Sequence, residues 1–474
     1  MTDVTQRPQA GFQGETLVPT DPGYDEARRV FNGMIDRHPA RIMRCGGPGD
    51  VAAALMLARR LGLPVSVYGG GHGVTGSAVV EGGLCIDLRP INHVVVDPAH
   101  RSVRVGGGAT WGPVDAATQQ HGLAVTGGRM STTGVGGLTL GSGSGWLERA
   151  LGFTCDSLLS AEVVVADGRT VTASATLNPD LFWALRGGGG NFGIVTEFTL
   201  RLHPVGPVVL GGMLMHPAEA AGPLVRFWRD FMLDAPDEVG SAVAFVTAPP
   251  APFVPEELRG RPVAGVFLLY AGDADEGQRV LAPLLDYGPP AVNLVQPIPY
   301  VDVQRLLDAG NPEGMRNYWS GDFLRELPDD AVDRLVGIAT RPTSPLSQVI
   351  LMAGGGAIAR VHEEDTAFGQ RSAPFTLHYL SMWPSATDDA GNIAHGRQLA
   401  ETMKPWTTGR AYLNFLGDEG PGRVAAAYGP EKYARLQALK RVWDPENVFR
   451  NNQNITPAEA VSPGGGASGG SAPG

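Results

Sequence analysis

The sequence predicts an α+β protein with a glycine-rich ligand-binding domain and a second domain of antiparallel sheet covered by helices. Three observations carry this. Strand-like and helical stretches alternate up to about residue 203, without the strand–helix–strand rhythm of a dinucleotide-binding unit. From about 206 to 408, β-like runs interleave with amphipathic helices. Glycine, 66 of 474 residues, clusters between apolar runs with no fixed period, the distribution of a loop-built ligand site and not of a fibre.

Residues 1–36 read as an entry arm. Asp50 reads as the N-cap of a helix over 51–61, with Val51, Leu55, Leu57, Ala58 and Leu61 on its apolar side and Gly62 ending it. A strand over 65–68 then runs straight into Gly69, Gly70, Gly71, His72 and Gly73. Three successive residues without a Cβ let the backbone turn sharply and approach an anionic ligand. A loop that only cradled phosphate would have little use for an imidazole, so His72 is read as facing the ligand. The alternative is a solvent-exposed histidine on a glycine turn.

Gly71, Gly73 and Gly76 spell GxGxxG, but neither the helix nor the acidic strand end of a dinucleotide-binding unit follows. The spacing recurs at Gly188, Gly190 and Gly193, and no GK[ST] follows any cluster, which excludes a P-loop.

Residues 93–97 and 102–105 read as paired strands, and 110–121 as a helix. The block from Thr126 to Gly145 holds too many glycines for helix or strand and is expected as extended loop, a second wall of the same site. Residues 161–166 and 170–173 read as a hairpin turning on Asp167 and Gly168. Asn178, Pro179 and Asp180 open a short helix to Arg186, and a strand follows over 194–202. In the middle region, strands over 208–215, 241–247 and 263–270 alternate with helices over 217–232 and 277–285. Tyr318, Trp319, His378 and Tyr379 are candidate substrate contacts there. Strand alternation puts His378 and Tyr379 on opposite faces, so at most one reaches a cavity.

A hydrophobic content of 43% supports a large core, and a formal net charge of −11 argues against nucleic acid or anionic membrane as a partner. Cys45, Cys85 and Cys155 cannot all pair and show no metal-ligand spacing, so no metal is expected. No targeting segment or membrane-spanning run is evident, and a cytoplasmic location is expected. Residues 458–474 read as a flexible tail. Oligomeric state stays open.

Five separated blocks carry a resemblance. They are GGGHGVTG around His72, TGVGGLTLGSGSGWL from Thr133, LGFTCDSLLSAEVVVADG, NPDLFWALRGGGGNFGIVTEF from Asn178, and AYLNFLGDEG followed by WDPENVFRNNQNI. Their order is similar to that of berberine-bridge-enzyme-like flavoproteins, with a PCMH-type FAD-binding domain of the vanillyl-alcohol oxidase superfamily. The resemblance implies an FAD-binding domain over 37–205, a substrate domain over 206–408 and a segment over 409–457 that packs back on the first.

It also implies FAD bonded covalently through the ring of His72, with Gly69, Gly70, Gly71 and Gly73 holding its pyrophosphate. Thr133, Gly134, Gly136, Gly137, Gly141, Asp156, Gly193, Ile194, Val195 and Asn414 are expected at the cofactor, with Asn452 or Asn454 at its pyrimidine end. Met130 stands where bicovalent members have a second linking cysteine, so His72 is expected to be the single tether. Cys155 is then a packing residue. Tyr68 stands where many relatives have arginine, and Phe415 where many have a second tyrosine. Tyr412 is implied as the base that takes the substrate proton.

The implied activity is hydride transfer from an alcohol or amine C–H of a small metabolite, with reoxidation by dioxygen to hydrogen peroxide. Thr133, close to valine in volume at the position bordering the oxygen-reactive face, favours an oxidase over a dehydrogenase. A dehydrogenase with another electron acceptor, and a non-catalytic flavin-binding protein, remain alternatives.

Overall fold

The computed structural model describes residues 11–417 and 419–459. The greater part of the expected tail lies outside the described residues, as does the start of the arm.

Strands Arg41–Arg44 and Val65–Tyr68 both pair in parallel with Leu84–Asp87 between them, and Glu15–Leu17 joins antiparallel at the edge. Helix Pro48–Leu61 connects the first two and buries Val51, Ala54, Leu55, Leu57 and Ala58. A strand–helix–strand unit therefore exists where none was expected, because four-residue strands carry too little periodicity to reveal it. Asp50 does not cap this helix: Gly47 holds the N-cap position, and the Asp50 carboxylate accepts from Gln13 N (2.7 Å) and Gly46 N (2.9 Å), fastening the arm.

The second sheet is antiparallel, in the order Val94–Asp97, Ser102–Gly106, Ile194–Arg201, Leu158–Val164 and Thr170–Ser174. Its last two strands form the expected hairpin, with Gly168 at φ 87°, a left-handed turn position suited to glycine. Within the glycine block, Val135–Leu140 is helical, contrary to the expectation of loop throughout. Val135 N bonds Ala109 O at 2.9 Å, and Val135 and Leu140 enter the core beside this sheet. Tertiary packing thus overrides the low helix propensity of Gly136 and Gly137.

The third sheet holds eight antiparallel strands, chief among them Val208–Pro217, Pro262–Tyr270, Val239–Thr247, Gln348–Ala353, Phe375–Trp383 and Arg316–Leu324. Strand alternation gives it two buried faces. Val243, Phe245, Leu351, Leu377 and Tyr379 face helices Ala221–Asp234, Ala274–Leu285, Asp329–Ala339 and Asp389–Met403. Ala242, Ala244, Ile350, Met352 and Leu380 face the first half of the chain and pack with Val74, Trp146 and Leu147.

Helices Pro421–Tyr428 and Pro430–Trp443 bring the chain back, burying Val424, Tyr428 and Leu436 in the core of the second sheet. A fully buried ion pair secures the return. Lys440 Nζ donates to Asp444 Oδ2 (2.7 Å), Asn191 O (2.7 Å) and Phe449 O (2.9 Å), while Asp444 accepts from Val448 N and Phe449 N.

Candidate active site

A cleft of about 330 Å³ runs between the glycine loops and the inner face of the third sheet. Its floor is nearly free of side chains. A Cβ on Gly70 would lie 2.5 Å from Gly134 N and Cα, and one on Gly136 would lie 3.0 Å from Gly107 O. The loops meet backbone to backbone, which only glycine permits. Gly69, Gly71, Gly73, Thr133 and Gly137 also line the cleft, as do Gly193, Ile194 and Val195. Asn451, Asn452 and Gln453 close one end. Asn452 donates to Gly190 O at 2.9 Å, whereas Asn454 does not line the cleft, so the geometry favours Asn452 of that pair.

His72 faces this space. Its Nε2 is buried without a hydrogen-bond partner, and desolvation pushes its pKa down to about 4, so the ring is neutral at ordinary pH. Met130 also lines the cleft and offers a thioether, which cannot form a second covalent link. Cys155 is fully buried, its thiol pushed well up by desolvation. The orphaned imidazole and the glycine-walled slot together fit a bound FAD: the residues that would hold it are the loops at Gly69–Gly73 and Gly134–Gly137, with His72 at the ring.

At the other end, Trp319, Ile350, Met352, Leu380 and Leu307 form an apolar wall. His378 projects from it, stacked on Phe415 at 3.6 Å between ring centroids and 3° between planes, with Trp319 edge-on at 5.0 Å. Its Nε2 has no partner, and burial first, then the Arg129 charge, hold its pKa well below the usual imidazole value. Arg129 itself is committed, donating to Glu148 Oε1 (2.9 Å), Ser144 Oγ (2.8 Å) and Gly145 O (3.0 Å). Ser144 Oγ in turn bonds Glu148. Arg129 and Ser144 carried no readable signal in the sequence, since their partners assemble only in the fold.

Several expected site residues lie elsewhere. Tyr412 does not line the cleft. It sits among Phe153, Phe323, Phe368 and Phe415, beside a separate cavity of about 10 Å³, with its hydroxyl accepting from Gly143 N (3.2 Å) and Ser144 N (2.7 Å). Burial pushes its pKa up to about 12 despite these bonds, so the phenol is neutral at ordinary pH. Residues 413–415 form a 3₁₀ turn and not a strand; Asn414 lines the cleft, and its Nδ2 donates to the Tyr412 hydroxyl at 3.5 Å. Gly141 acts behind Asn414: a Cβ there would lie 2.0 Å from Asn414 Oδ1. The Asp156 carboxylate accepts from Phe153 N at 2.9 Å and pairs with buried Arg371 at 2.7 Å, away from the cleft. Tyr318 and Tyr379 face the helical cover. Tyr318 packs against Gly396 and Arg397, and Tyr379 lies in the core beneath the helices. Of the four substrate candidates, only Trp319 and His378 line the cleft.

Among the described residues, no His, Cys, Asp and Glu side chains cluster in a way that could hold a metal ion, and no helix is long and apolar enough to cross a membrane.

Comparison with known proteins agrees with this geometry. Residues 39–174 match the FAD binding domain family, and residues 411–456 match the family described as berberine and berberine like. An uncharacterized FAD-linked oxidoreductase of Bacillus subtilis (strain 168) is 32% identical over 94% of this chain and 97% of that protein. The (R)-6-hydroxynicotine oxidase of Paenarthrobacter nicotinovorans is likewise 32% identical, over 94% of this chain and 97% of its own. The crystal structure of 6-hydroxy-D-nicotine oxidase from Arthrobacter nicotinovorans superposes with a TM-score of 0.84 at 29% identity, covering 94% of this chain and 98% of that one. BBE-like 1 of Physcomitrella patens shares the fold, with a TM-score of 0.84 at 23% identity over 94% of this chain and 98% of that one. In sequence and fold, the chain belongs to the berberine-bridge-enzyme-like FAD-linked oxidoreductases.

Proposed function

We propose that the protein is an oxidase that holds FAD through a single covalent bond to His72 and oxidises a small, largely apolar alcohol or amine. One observation carries the reading: a buried, neutral imidazole with an unpartnered nitrogen faces a slot whose floor is glycine backbone. The relatives named as 6-hydroxynicotine oxidases support the choice of oxidase. The small Thr133 side chain at the cleft wall supports access by dioxygen.

When bound, FAD would supply the hydride acceptor and the redox link to dioxygen. The chain's own residues do the rest. Trp319, Ile350, Met352 and Leu380 exclude water and hold an apolar substrate body. Among the described residues, the titratable side chains lining the cleft are His72, Arg129 and His378. His72 is the tether and Arg129 is paired with Glu148, which leaves His378. In the tautomer with Nε2 free, it accepts a hydrogen bond from the substrate O–H or N–H. As positive charge builds on the substrate carbon the O–H or N–H becomes strongly acidic, which lets even this weakly basic imidazole take the proton.

The test is acid precipitation of the purified protein. Yellow colour retained in the pellet, and absent from the pellet of His72→Ala, establishes the tether; colour that washes free from wild type refutes it. Anaerobic bleaching by a panel of apolar alcohols and amines, followed by peroxide release on readmitting air, tests the oxidase reading.

A further inference from the structure

The arm that precedes the first domain reaches the centre of the site. Phe31 is buried and stacks on the imidazole of His72, with ring centroids 4.1 Å apart and planes 17° apart. Its backbone is pinned on both sides. Phe31 N donates to Gly71 O at 3.0 Å, and Gly314 N donates to Phe31 O at 3.0 Å. Next to it, Asn32 Nδ2 donates to Val74 O (2.7 Å) and Asn317 O (3.0 Å), and Asn32 Oδ1 accepts from Asn317 N (3.0 Å). Before it, Tyr68 donates its hydroxyl to Arg29 O at 2.6 Å. Residues 29–33 are thus threaded between the glycine loop and strand Arg316–Leu324, bonded to both.

We propose that Phe31 is a positioning residue for the covalent attachment of FAD to His72. This rests on the reading of His72 as the tether. Attachment breaks one C–H bond of the 8α-methyl group and the imidazole N–H bond, and forms one C–N bond. The two electrons released reduce the isoalloxazine ring, and dioxygen takes them with the two protons as hydrogen peroxide. The step needs a neutral imidazole whose lone pair is held toward one carbon. A ring stacked face to face on Phe31 has one face covered and its plane held, which narrows the directions in which its lone pair can meet the methyl group. Trp319, 6.2 Å away and tilted by 51°, borders the imidazole without stacking on it. The same apolar cover keeps the ring desolvated and uncharged at ordinary pH.

Loss of one aromatic pair slows attachment by roughly three- to tenfold if it sets the geometry of the attacking ring. The experiment uses full-length chain produced in riboflavin-starved cells, so that it carries no flavin, then mixed with FAD in air, acid-quenched over time and scored for flavin in the pellet. Wild type, Phe31→Leu and Phe31→Tyr are compared, with thermal unfolding of each. Phe31→Leu keeps the apolar volume without a ring and attaches flavin several-fold more slowly than wild type, while binding FAD and unfolding at a similar temperature. Phe31→Tyr restores the wild-type rate. Attachment at the wild-type rate in Phe31→Leu overturns the proposal and leaves the tether standing. A wild-type pellet that never turns yellow overturns the tether itself, and this inference with it.

Discussion

Replacing Tyr412 by phenylalanine separates two roles that the sequence alone could not distinguish. The hydroxyl accepts from two buried backbone groups, Gly143 N and Ser144 N, at 3.2 and 2.7 Å. Removing it leaves both without an acceptor, at a cost of about 1–3 kcal/mol each. A chain of this length unfolds with an entropy of about 1 kcal/mol per kelvin if it unfolds as one unit, so Tm falls by only about 2–6 °C. Because the phenol lies outside the cleft, Tyr412→Phe should slow anaerobic flavin bleaching by less than about tenfold. A group that takes the substrate proton contributes about 10²- to 10⁴-fold, and that is the loss expected for His378→Asn on the same substrate. Stopped-flow bleaching of wild type and both variants, with calorimetry of each, decides the matter. A hundredfold loss in Tyr412→Phe with His378→Asn nearly unaffected would refute the assignment of the proton to His378.

Two further outcomes follow from buried charges. Lys440→Met strands a fully buried Asp444 carboxylate and should cost about 3–5 kcal/mol, seen as a lower Tm; adding Asp444→Asn, which removes the stranded charge and keeps an oxygen for the backbone N–H groups of Val448 and Phe449, should recover part of it. Asp115, buried with Gln304 Nε2 donating to it at 3.1 Å, has its pKa raised from 3.8 to about 7, chiefly by desolvation. The folded state therefore keeps a proton that the unfolded chain releases, and stability falls as pH rises from about 4 towards 7. Asp115→Asn should be more stable than wild type by a margin that grows across that window and levels off above it, measured by denaturant unfolding at pH 4, 6 and 8. A margin constant with pH removes Asp115 as the cause.

What could be read in the sequence was chemistry confined to one stretch. The Gly69–Gly73 turn with its histidine, the Asp167 and Gly168 hairpin and the opposed faces of His378 and Tyr379 each follow from neighbouring residues, and the fold keeps them. Helix Val135–Leu140 escaped because its support comes from Ala109 and the second sheet, not from its own residues. At Tyr412 a 3₁₀ turn takes the place of the expected strand, yet Asn414 Nδ2 still reaches the Tyr412 hydroxyl at 3.5 Å. Arg129, Ile350, Met352 and Asn451 meet at one cleft from distant parts of the chain, and Phe31 reaches its imidazole from an arm with no motif. No local pattern records such meetings.

The wall formed by Asn451, Asn452 and Gln453 has a consequence in time. These residues emerge from the ribosome only after the whole third sheet and its helices have been made. Until then the growing polypeptide presents a half-built slot, open where the Lys440–Asp444 clasp will later shut it. Capture of the pigment is therefore an event of the finished molecule, and any fragment that stops before residue 449 should emerge colourless however well its earlier parts have folded.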